Sequence, residues 1–484
     1  MMRVILWMHR YLGVALGLLM TLWCLSGFVM MYRGYPHLAE AARLRGLEPL
    51  RWAACCDARR LGLDDGARLS RFSVEMLAGR PVLRLAASGP PRTLDLATGA
   101  ELHGLAAPTV QAAAVAYARG NGIAGAPHDL GLIDKDQWTV EGASRRGPVH
   151  HLRFDDPAGA ELYIADRTGE AVQATTRTTR FWAWLGAIPH WLYPTVLRQN
   201  AVLWDAVVVW TSLIGCFLTV TGLYVGIARF RRYGGARWSP YRGWFYWHHI
   251  SGLIFGVLTL TWVASGLMTM NPWGFLDTPV GSDQRQRLAG GIPAAEAKRF
   301  IAAAPAMAPA DVVRLEAAPL GGHLFVMATR SDGASARLDA DGRPAPLTAL
   351  TVVGAVLATH GPAVTDVIRL DHEDDYYYSG YDGPAPLPVY RASLRDGQAT
   401  TLYIDARSGQ VVQALDQTAR ASRWLRTGLH DWDFAGLRRR PVWDVVVLIL
   451  LAGVTAVCAL GAWLGLQRLQ RDLAGLFRRR EGRS

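Results

Sequence analysis

Two long apolar stretches of the chain carry the same pattern of a histidine followed by glycines. Residues 7–31 read WMHRYLGVALGLLMTLWCLSGFVMM, and residues 246–270 read YWHHISGLIFGVLTLTWVASGLMTM. In each stretch a histidine, His9 or His248, is followed by glycine four and eight residues later. A helix needs about 20 apolar residues to cross a bilayer. Both stretches therefore predict membrane-spanning helices that begin with an equivalent histidine.

The composition of the whole chain is typical of an integral membrane protein. Of its 484 residues, 51% are hydrophobic and only 19% are charged, which excludes disordered chains and small disulfide-framework proteins. The hydrophobic residues concentrate in four stretches. These predict membrane helices over residues 1–32, 201–228, 244–270 and 441–466.

The arginines predict which side of the membrane each segment occupies. The net charge is +11, but we expect no nucleic-acid partner, because arginines cluster beside the membrane helices, in the loop 229–243 and in the tail 467–484. The positive-inside rule places that loop, that tail and the N-terminus in the cytoplasm. The run Arg438–Arg440 lies on the opposite side and does not follow the rule. The long segments 33–200 and 271–440 are then expected outside the cytoplasm.

Both long segments have the pattern of short strands and turns. In the first, Arg80–Leu85 and Glu161–Ala165 are strand-like and are followed by turns rich in Gly, Asp and Thr. Alanine-rich residues near 107–118 and 294–304 predict helices. We therefore expect an α-helical membrane protein with four transmembrane helices and two external α+β modules.

The two halves of the chain repeat each other. A shift of 239 residues aligns the two quoted stretches, and it also aligns Trp204-Asp205 with Trp443-Asp444. A shift of 240 aligns Leu162-Tyr163-Ile164 with Leu402-Tyr403-Ile404. Each half is then a helix, an external module and a second helix. Since each half starts and ends on the same side, the repeats are predicted to be parallel, with an axis along the membrane normal.

Four histidines occupy equivalent positions in the two repeats. His9 pairs with His248 near the cytoplasmic face, and His190 pairs with His430 near the external face. Members of each pair can face one another across the repeat axis. Two histidines at each of two levels are the ligand set for two six-coordinate haems.

The glycines after His9 and His248 have two interpretations. Gly13 and Gly17, like Gly252 and Gly256, lie on the helix face of the histidine and could leave room for a flat macrocycle. The alternative is close helix packing, for which small residues four apart are common.

Three further positions leave alternatives open. His249 lies next to His248 and could replace it as ligand, but its repeat partner is Arg10, so we expect His249 at the membrane interface. Asp205 and Asp444 are expected to complement helix N-termini, although they could instead orient His190 and His430.

Other cysteines and histidines are expected to be structural. Cys24, Cys216 and Cys458 lie in apolar stretches and suit packing, whereas Cys55 and Cys56 could form a strained vicinal disulfide. The segment His372-Glu-Asp-Asp-Tyr-Tyr-Tyr could bind ferric iron, but a structural hairpin is favoured. The remaining histidines have no histidine in the matching repeat position: His37, His103, His128, His150, His151, His323 and His360.

These motifs resemble the PepSY-associated transmembrane family. The resemblance rests on Trp7-Met-His-Arg-Tyr-Leu-Gly, Leu25-Ser-Gly, Leu402-Tyr-Ile-Asp and Arg440-Pro-Val-Trp-Asp, and it extends over nearly the whole chain. The strand Leu387-Pro-Val-Tyr-Arg is family-like, but its counterpart Gly147-Pro-Val-His-His is altered.

The resemblance implies a location, a cofactor and an activity. The chain resembles iron-regulated proteins of the bacterial inner membrane. Some of these proteins reduce ferric siderophores with two b-type haems. The resemblance also implies that the external modules are periplasmic PepSY domains. The haem-ligand positions of the family fall on His9, His190, His248 and His430.

The sequence thus predicts a transmembrane electron conduit. A reduced flavin or a flavoprotein reductase in the cytoplasm would donate electrons, and a ferric siderophore or other ferric chelate would accept them. The lipid bilayer is the remaining partner, and no residue is singled out as catalytic. Two alternatives stay open. One is a cofactor-free PepSY protein that binds peptides or regulates a protease, and the other is a haem subunit for another acceptor.

Overall fold

A computed structural model of the chain describes residues 1–52, 55–56, 61–86, 92–142, 147–231, 239–307, 311–380 and 383–481. The helices in chain order are α1 (Met2–Met30), α2 (Glu40–Arg45), α3 (Ala107–Asn121), α4 (Arg177–Leu185), α5 (Ala187–His190), α6 (Thr195–Arg198), α7 (Ala201–Arg231), α8 (Trp244–Thr269), α9 (Val280–Ala289), α10 (Ala294–Met307), α11 (Ala349–His360), α12 (Gln417–Arg423), α13 (Leu429–Asp431) and α14 (Val442–Glu481). Short 3₁₀ turns cover Pro272–Gly274 and Gly361–Ala363, and a π-helical turn covers Trp424–Gly428.

The strands form four antiparallel sheets. In chain order they are β1 (Arg68–Leu69), β2 (Arg71–Leu77), β3 (Arg80–Ala86), β4 (Arg92–Asp95), β5 (Pro127–Ile133), β6 (Val149–Phe154), β7 (Glu161–Ala165), β8 (Ala171–Thr175), β9 (Ile292–Pro293), β10 (Val312–Ala317), β11 (Phe325–Arg330), β12 (Ser335–Asp339), β13 (Val364–Leu370), β14 (Val389–Leu394), β15 (Thr401–Asp405) and β16 (Val411–Leu415). The sheets have the orders β1-β9, β12-β11-β10-β2-β3-β4, β5-β6-β7-β8 and β13-β14-β15-β16.

The chain divides into a helical unit and a sheet-containing unit. The helical unit comprises Met1–Tyr35, Thr179–Asp277 and Ala421–Ser484, and the sheet unit comprises Pro36–Thr178 and Thr278–Arg420. Within the described residues, four helices, α1, α7, α8 and α14, are long and apolar enough to cross a membrane.

The long helices overlap the four apolar stretches that the sequence predicts, with one difference in length. The fourth stretch was expected to end at Leu466 and to be followed by a tail. In the structure α14 continues as one helix to Glu481. Arginine, glutamine and leucine dominate this extension, and all three are good helix formers, so the end of the apolar run does not end the helix.

Small residues bring the long helices close together. A Cβ atom added to Gly17 on α1 would lie 3.0 Å from the Cα of Ala462 on α14. A Cβ added to Gly256 on α8 would lie 2.6 Å from Leu223 on α7. These two glycines therefore serve helix packing, as small residues do in membrane bundles.

The sheet unit departs from the expectation of two separate modules. Each long segment does supply its own four-stranded sheet, β5–β8 in the first and β13–β16 in the second. The central six-stranded sheet, however, joins the segments, because β2 pairs with β10, with Glu75 opposite Arg314. Its apolar core is also shared, and the rings of Phe72 and Phe300 pack edge to face 6.1 Å apart. The expected modules 33–200 and 271–440 are therefore replaced by one folded unit with narrower bounds, Pro36–Thr178 and Thr278–Arg420.

A buried ionic network lies in the sheet unit. Glu75 and Arg84 are 1% and 3% exposed and approach to 2.5 Å. Arg43 bridges Glu75 and Glu170 at 2.8 and 3.3 Å, and Arg71 binds Glu170 at 2.6 Å. Buried charges need such pairing because they have lost their hydration.

Cys55 and Cys56 are joined in a vicinal disulfide, which the sequence indicates as a possibility.

Candidate functional site

His9 and His248 face each other inside the helical unit. Their ring centroids are 6.3 Å apart, and the ring planes are inclined by 27°. His9 lies in the second turn of α1 and His248 in the second turn of α8. The pair is therefore at the end of the bundle where these two helices begin.

The other two long helices hold these imidazoles in place. Nδ1 of His9 lies 3.1 Å from the carbonyl oxygen of Leu218 on α7. Nδ1 of His248 lies 3.2 Å from the carbonyl oxygen of Val457 on α14. A carbonyl can only accept, so Nδ1 carries the proton in both rings, and Nε2 is the nitrogen that could bind a metal.

His190 and His430 form a second pair, with ring centroids 6.0 Å apart and ring planes inclined by 59°. Neither histidine belongs to a long helix. His190 ends the short helix α5, and His430 lies in the short helix α13 directly after the π-helical turn Trp424–Gly428. Such π turns often occur at functional sites.

The ends of α1 and α8 hold the second pair. Nδ1 of His190 lies 3.1 Å from both the Ser26 hydroxyl and the Trp23 carbonyl. Nδ1 of His430 lies 3.1 Å from the hydroxyl of Ser265. In addition, the Trp262 indole donates to the backbone carbonyl of His430 over 2.9 Å.

Both imidazoles of the second pair are neutral at neutral pH. Burial, with a contribution from the charge of the facing histidine, lowers the pKa of His190 to about 4. Burial also lowers the pKa of His430. A neutral imidazole is the form that binds a metal.

The separation within each pair fits one metal ion between two histidines. An imidazole nitrogen binds a metal at about 2 Å, and the ring centroid lies about 1 Å behind that nitrogen, so two imidazoles on opposite sides of one ion have centroids about 6 Å apart. Both observed separations have this value. Hydrogen-bonded Nδ1 atoms are also the usual support of metal-binding histidines.

The glycines beside the first pair divide into two kinds. A Cβ added to Gly13 or to Gly252 would meet no other atom within 4 Å. These two positions thus leave open space one turn after each histidine, where a flat macrocycle would lie. Gly17 and Gly256 pack against neighbouring helices instead, so the helix-packing interpretation applies to these two glycines and the macrocycle interpretation stays a prediction for Gly13 and Gly252.

His249 differs from the interfacial residue that the sequence predicts. Its side chain is buried, with Nδ1 2.8 Å from the Ser239 hydroxyl and Nε2 3.0 Å from the carbonyl oxygen of Gly226. Both ring nitrogens are engaged. His248, not His249, faces His9.

The residues that orient the second pair were not assigned from the sequence. Among the described contacts of His190 and His430, the side-chain oxygens belong to Ser26 and Ser265 rather than to Asp205 or Asp444. Asp444 accepts from Arg440 in the first turn of α14. The two serines do occupy equivalent repeat positions, and this was the signal that could have identified them.

The tyrosine-rich segment after His372 is a structural loop. Asp374 accepts from the backbone N–H groups of Tyr376 and Tyr377 and from the Tyr403 hydroxyl. These hydrogen bonds outweigh burial and lower the pKa of Asp374. In the part of the chain that the structure describes, no three His, Cys, Asp or Glu side chains are grouped to hold a metal ion.

A comparison with known protein families gives one match, which is consistent with long apolar helices and sheets in one chain. The model of the PepSY-associated TM region matches residues 6–468. No curated protein and no solved structure matches the chain. Since the match covers nearly all of its length, the chain is a membrane protein that belongs to the family of the PepSY-associated TM region.

Proposed function

We propose that the protein is a transmembrane electron conduit that carries two b-type haems, one at each histidine pair. The observation that carries this proposal is the separation of about 6 Å between facing imidazoles in both pairs. His9 and His248 would ligate one haem iron, and His190 and His430 the other. A haem held in this way would supply reversible one-electron chemistry at each of the two levels.

The protein's own residues set the geometry of both sites. The carbonyls of Leu218 and Val457 fix the tautomers of the first pair, and Ser26 and Ser265 support the second. Gly13 and Gly252 keep space clear beside the first pair. Along α1, His9 and Ser26 are separated by about 25 Å at 1.5 Å per residue, so two sites divide the membrane crossing into shorter electron transfers.

The direction of transfer follows from the arginine distribution. In the bacterial inner membrane, the loop 229–243 and both termini would be cytoplasmic, and the sheet unit periplasmic. The two parallel repeats would then place the His9/His248 pair on the cytoplasmic side. A cytoplasmic donor, a reduced flavin or a flavoprotein, would supply electrons there.

A periplasmic ferric siderophore is the proposed acceptor. Reduction from Fe(III) to Fe(II) lowers the charge of the metal and so weakens its attraction to anionic oxygen donors, which releases the iron. This choice rests on the sequence motifs that resemble ferric-siderophore reductases.

The first test is an optical spectrum of the purified full chain, oxidised and then reduced with dithionite, with haem quantified per chain. We expect two haems with low-spin b-type bands. His9→Ala and His190→Ala should each remove one, whereas the exposed His103→Ala should remove none. A colourless protein after expression with ample haem would contradict the proposal and favour a cofactor-free PepSY protein that binds peptides or regulates a protease.

The second test concerns the acceptor. The dithionite-reduced protein, freed of dithionite, is mixed with a ferric hydroxamate or catecholate chelate, and the haem bands are followed. Reoxidation with matching Fe(II) release is expected. Reoxidation by another acceptor alone would favour the alternative of a haem subunit that serves that acceptor.

A further inference from the structure

An apolar groove runs along the membrane face of the bundle between α1 and α7. Its volume is about 490 Å³, within the range of about 300–1,000 Å³ that is typical of small-molecule sites. Four of its residues are aromatic, Trp7 and Tyr11 on α1 and Trp210 and Phe217 on α7. Aliphatic side chains complete it, among them Ile214.

The groove adjoins the His9/His248 pair. Met8 and Leu12 line it on either side of His9, and Leu12 lies three residues after His9, on the same helix face. On the other wall, Phe217 precedes Leu218, whose carbonyl binds His9 Nδ1 at 3.1 Å. A molecule in the groove would thus contact residues that neighbour His9 and Leu218 in sequence.

The aromatic lining is confined to one repeat. The shift that aligns the halves places Tyr246, Ile250, Ile449 and Ala456 where the groove has Trp7, Tyr11, Trp210 and Phe217. Gly453 replaces Ile214 and is covered by the Phe255 ring, which a Cβ there would approach to 2.3 Å. Only one aromatic ring of the four remains. The repeats match at the histidines but differ here, which points to a specialised surface in the first repeat.

One of the lining residues, Tyr11, carries a polar group. The Tyr11 hydroxyl donates to the Asp472 carboxylate over 3.1 Å. Arg468 binds the same carboxylate at 2.8 Å. Asp472 and Arg468 are not lining residues, so the Tyr11 ring belongs to the groove and its hydroxyl connects the groove to an ion pair on α14.

We propose that the groove binds a membrane quinol, an aromatic diol with an apolar tail, which donates electrons at the His9/His248 site. Aromatic walls suit its ring, and a lipid-facing opening suits its tail. Both O–H bonds of the quinol break as it becomes a quinone. Its two electrons would be accepted by the two haems that the histidine pairs would hold, one electron by each, and its two protons would pass to water. This inference rests on the proposed function and adds a lipid-soluble donor to the soluble one proposed there.

The binding test needs no haem. The full chain in lipid nanodiscs is illuminated with an azido derivative of a short-chain quinone, and adducts are mapped by mass spectrometry. Adducts on peptides containing residues 7–12 or 210–217, suppressed by excess unlabelled quinone, are expected. Ile214→Trp should fill the groove and abolish them, whereas Val257→Trp, on the exposed face of α8, should not. Labelling that excess quinone does not suppress would indicate a lipid acyl chain and overturn the proposal.

The electron-transfer test uses the haem-loaded protein. Short-chain quinol should reduce the haem bands of the wild type and of Val257→Trp. In Ile214→Trp the rate should fall by about tenfold or more, because the added ring occupies the groove, while dithionite still reduces all three. If dithionite reduces the wild type and quinol does not, the quinol proposal is wrong and the conduit stands. If no haem is present to be reduced, the conduit itself fails.

Discussion

His9 and His248 come from different repeats, yet their ring centroids lie 6.3 Å apart, and each ring is fixed by a backbone carbonyl of a further helix. All four long helices thus contribute to one site. A site built on rigid helices holds its ligands more accurately than one built on loops. The proposed metal would therefore bind between two imidazoles whose separation already has the expected value.

His248→Ala should remove one of two haems, whereas His249→Ala should retain both. The reason is that His248 faces His9, while both ring nitrogens of His249 bind Ser239 and Gly226. Haem per chain, measured by the pyridine haemochrome method, checks this. The reverse result would exchange the roles of the two histidines.

Gly13→Leu and Gly252→Leu should each lower haem content without unfolding the protein. The protein alone has open space at both positions, so only a bound macrocycle would meet the new side chain. Haem content and gel-filtration behaviour are compared with those of Gly354→Leu, a helical glycine of the sheet unit that also has open space. Full haem content in both Gly13→Leu and Gly252→Leu would show that the haem does not lie beside these two positions.

Ser265→Ala should weaken retention of the haem at the His190/His430 pair by up to about tenfold, since loss of a supporting hydrogen bond costs roughly 10–100-fold in metal affinity and other contacts of the site remain. The measurement is the rate of haem transfer to apomyoglobin. Ser251→Ala is the matched control, because Ser251 on the same helix donates to the backbone carbonyls of Trp247 and His248. Equal transfer rates would show that Ser265 gives no support.

Arg84→Leu should lower the free energy of unfolding by about 1–3 kcal/mol, because the buried carboxylate of Glu75 loses its closest partner and keeps Arg43. Arg80→Leu should cost less than about 1 kcal/mol, since the Arg80 side chain is 73% exposed. Denaturant unfolding of the full chain in detergent compares the two. Similar losses in both variants would contradict the importance of the buried pair.

Acid should destabilise the sheet unit in part through Glu170. Burial alone would raise the pKa of Glu170, but the positive charges of Arg84, Arg71 and Arg43 outweigh it and hold the pKa below the ordinary value of 4.5. Because the folded pKa is depressed, this stabilisation is present above pH 4.5 and is lost as the pH falls through the folded pKa. Glu170→Gln should show a weaker loss of thermal stability over that interval, and an identical pH profile would contradict it.

Much of the candidate site was accessible from the sequence because the chain repeats itself. Apolar length indicates the long helices, and the repeat singles out His9, His190, His248 and His430 among 13 histidines. Periodicity could not show that Gly13 and Gly17 have different surroundings, because this depends on which helix lies opposite each one.

The pairing of strands from the two long segments could not be predicted from the sequence. Strand patterns in the two segments look self-sufficient, and nothing local specifies that Glu75 of β2 lies opposite Arg314 of β10. The burial of His249 was missed for a similar reason, since its partners Ser239 and Gly226 belong to the end of α7 and the loop after it.

The pairing of β2 with β10 has a consequence for biogenesis. Residues 71–77 are synthesised long before residues 312–317, so β2 has an open hydrogen-bonding edge until the third long helix and the next segment have been made. An exposed strand edge invites pairing with other chains. A nascent chain that stalls after α8 would therefore be prone to aggregate. If the two repeats were made as separate polypeptides, they would have to associate through the β2–β10 pairing to complete the sheet.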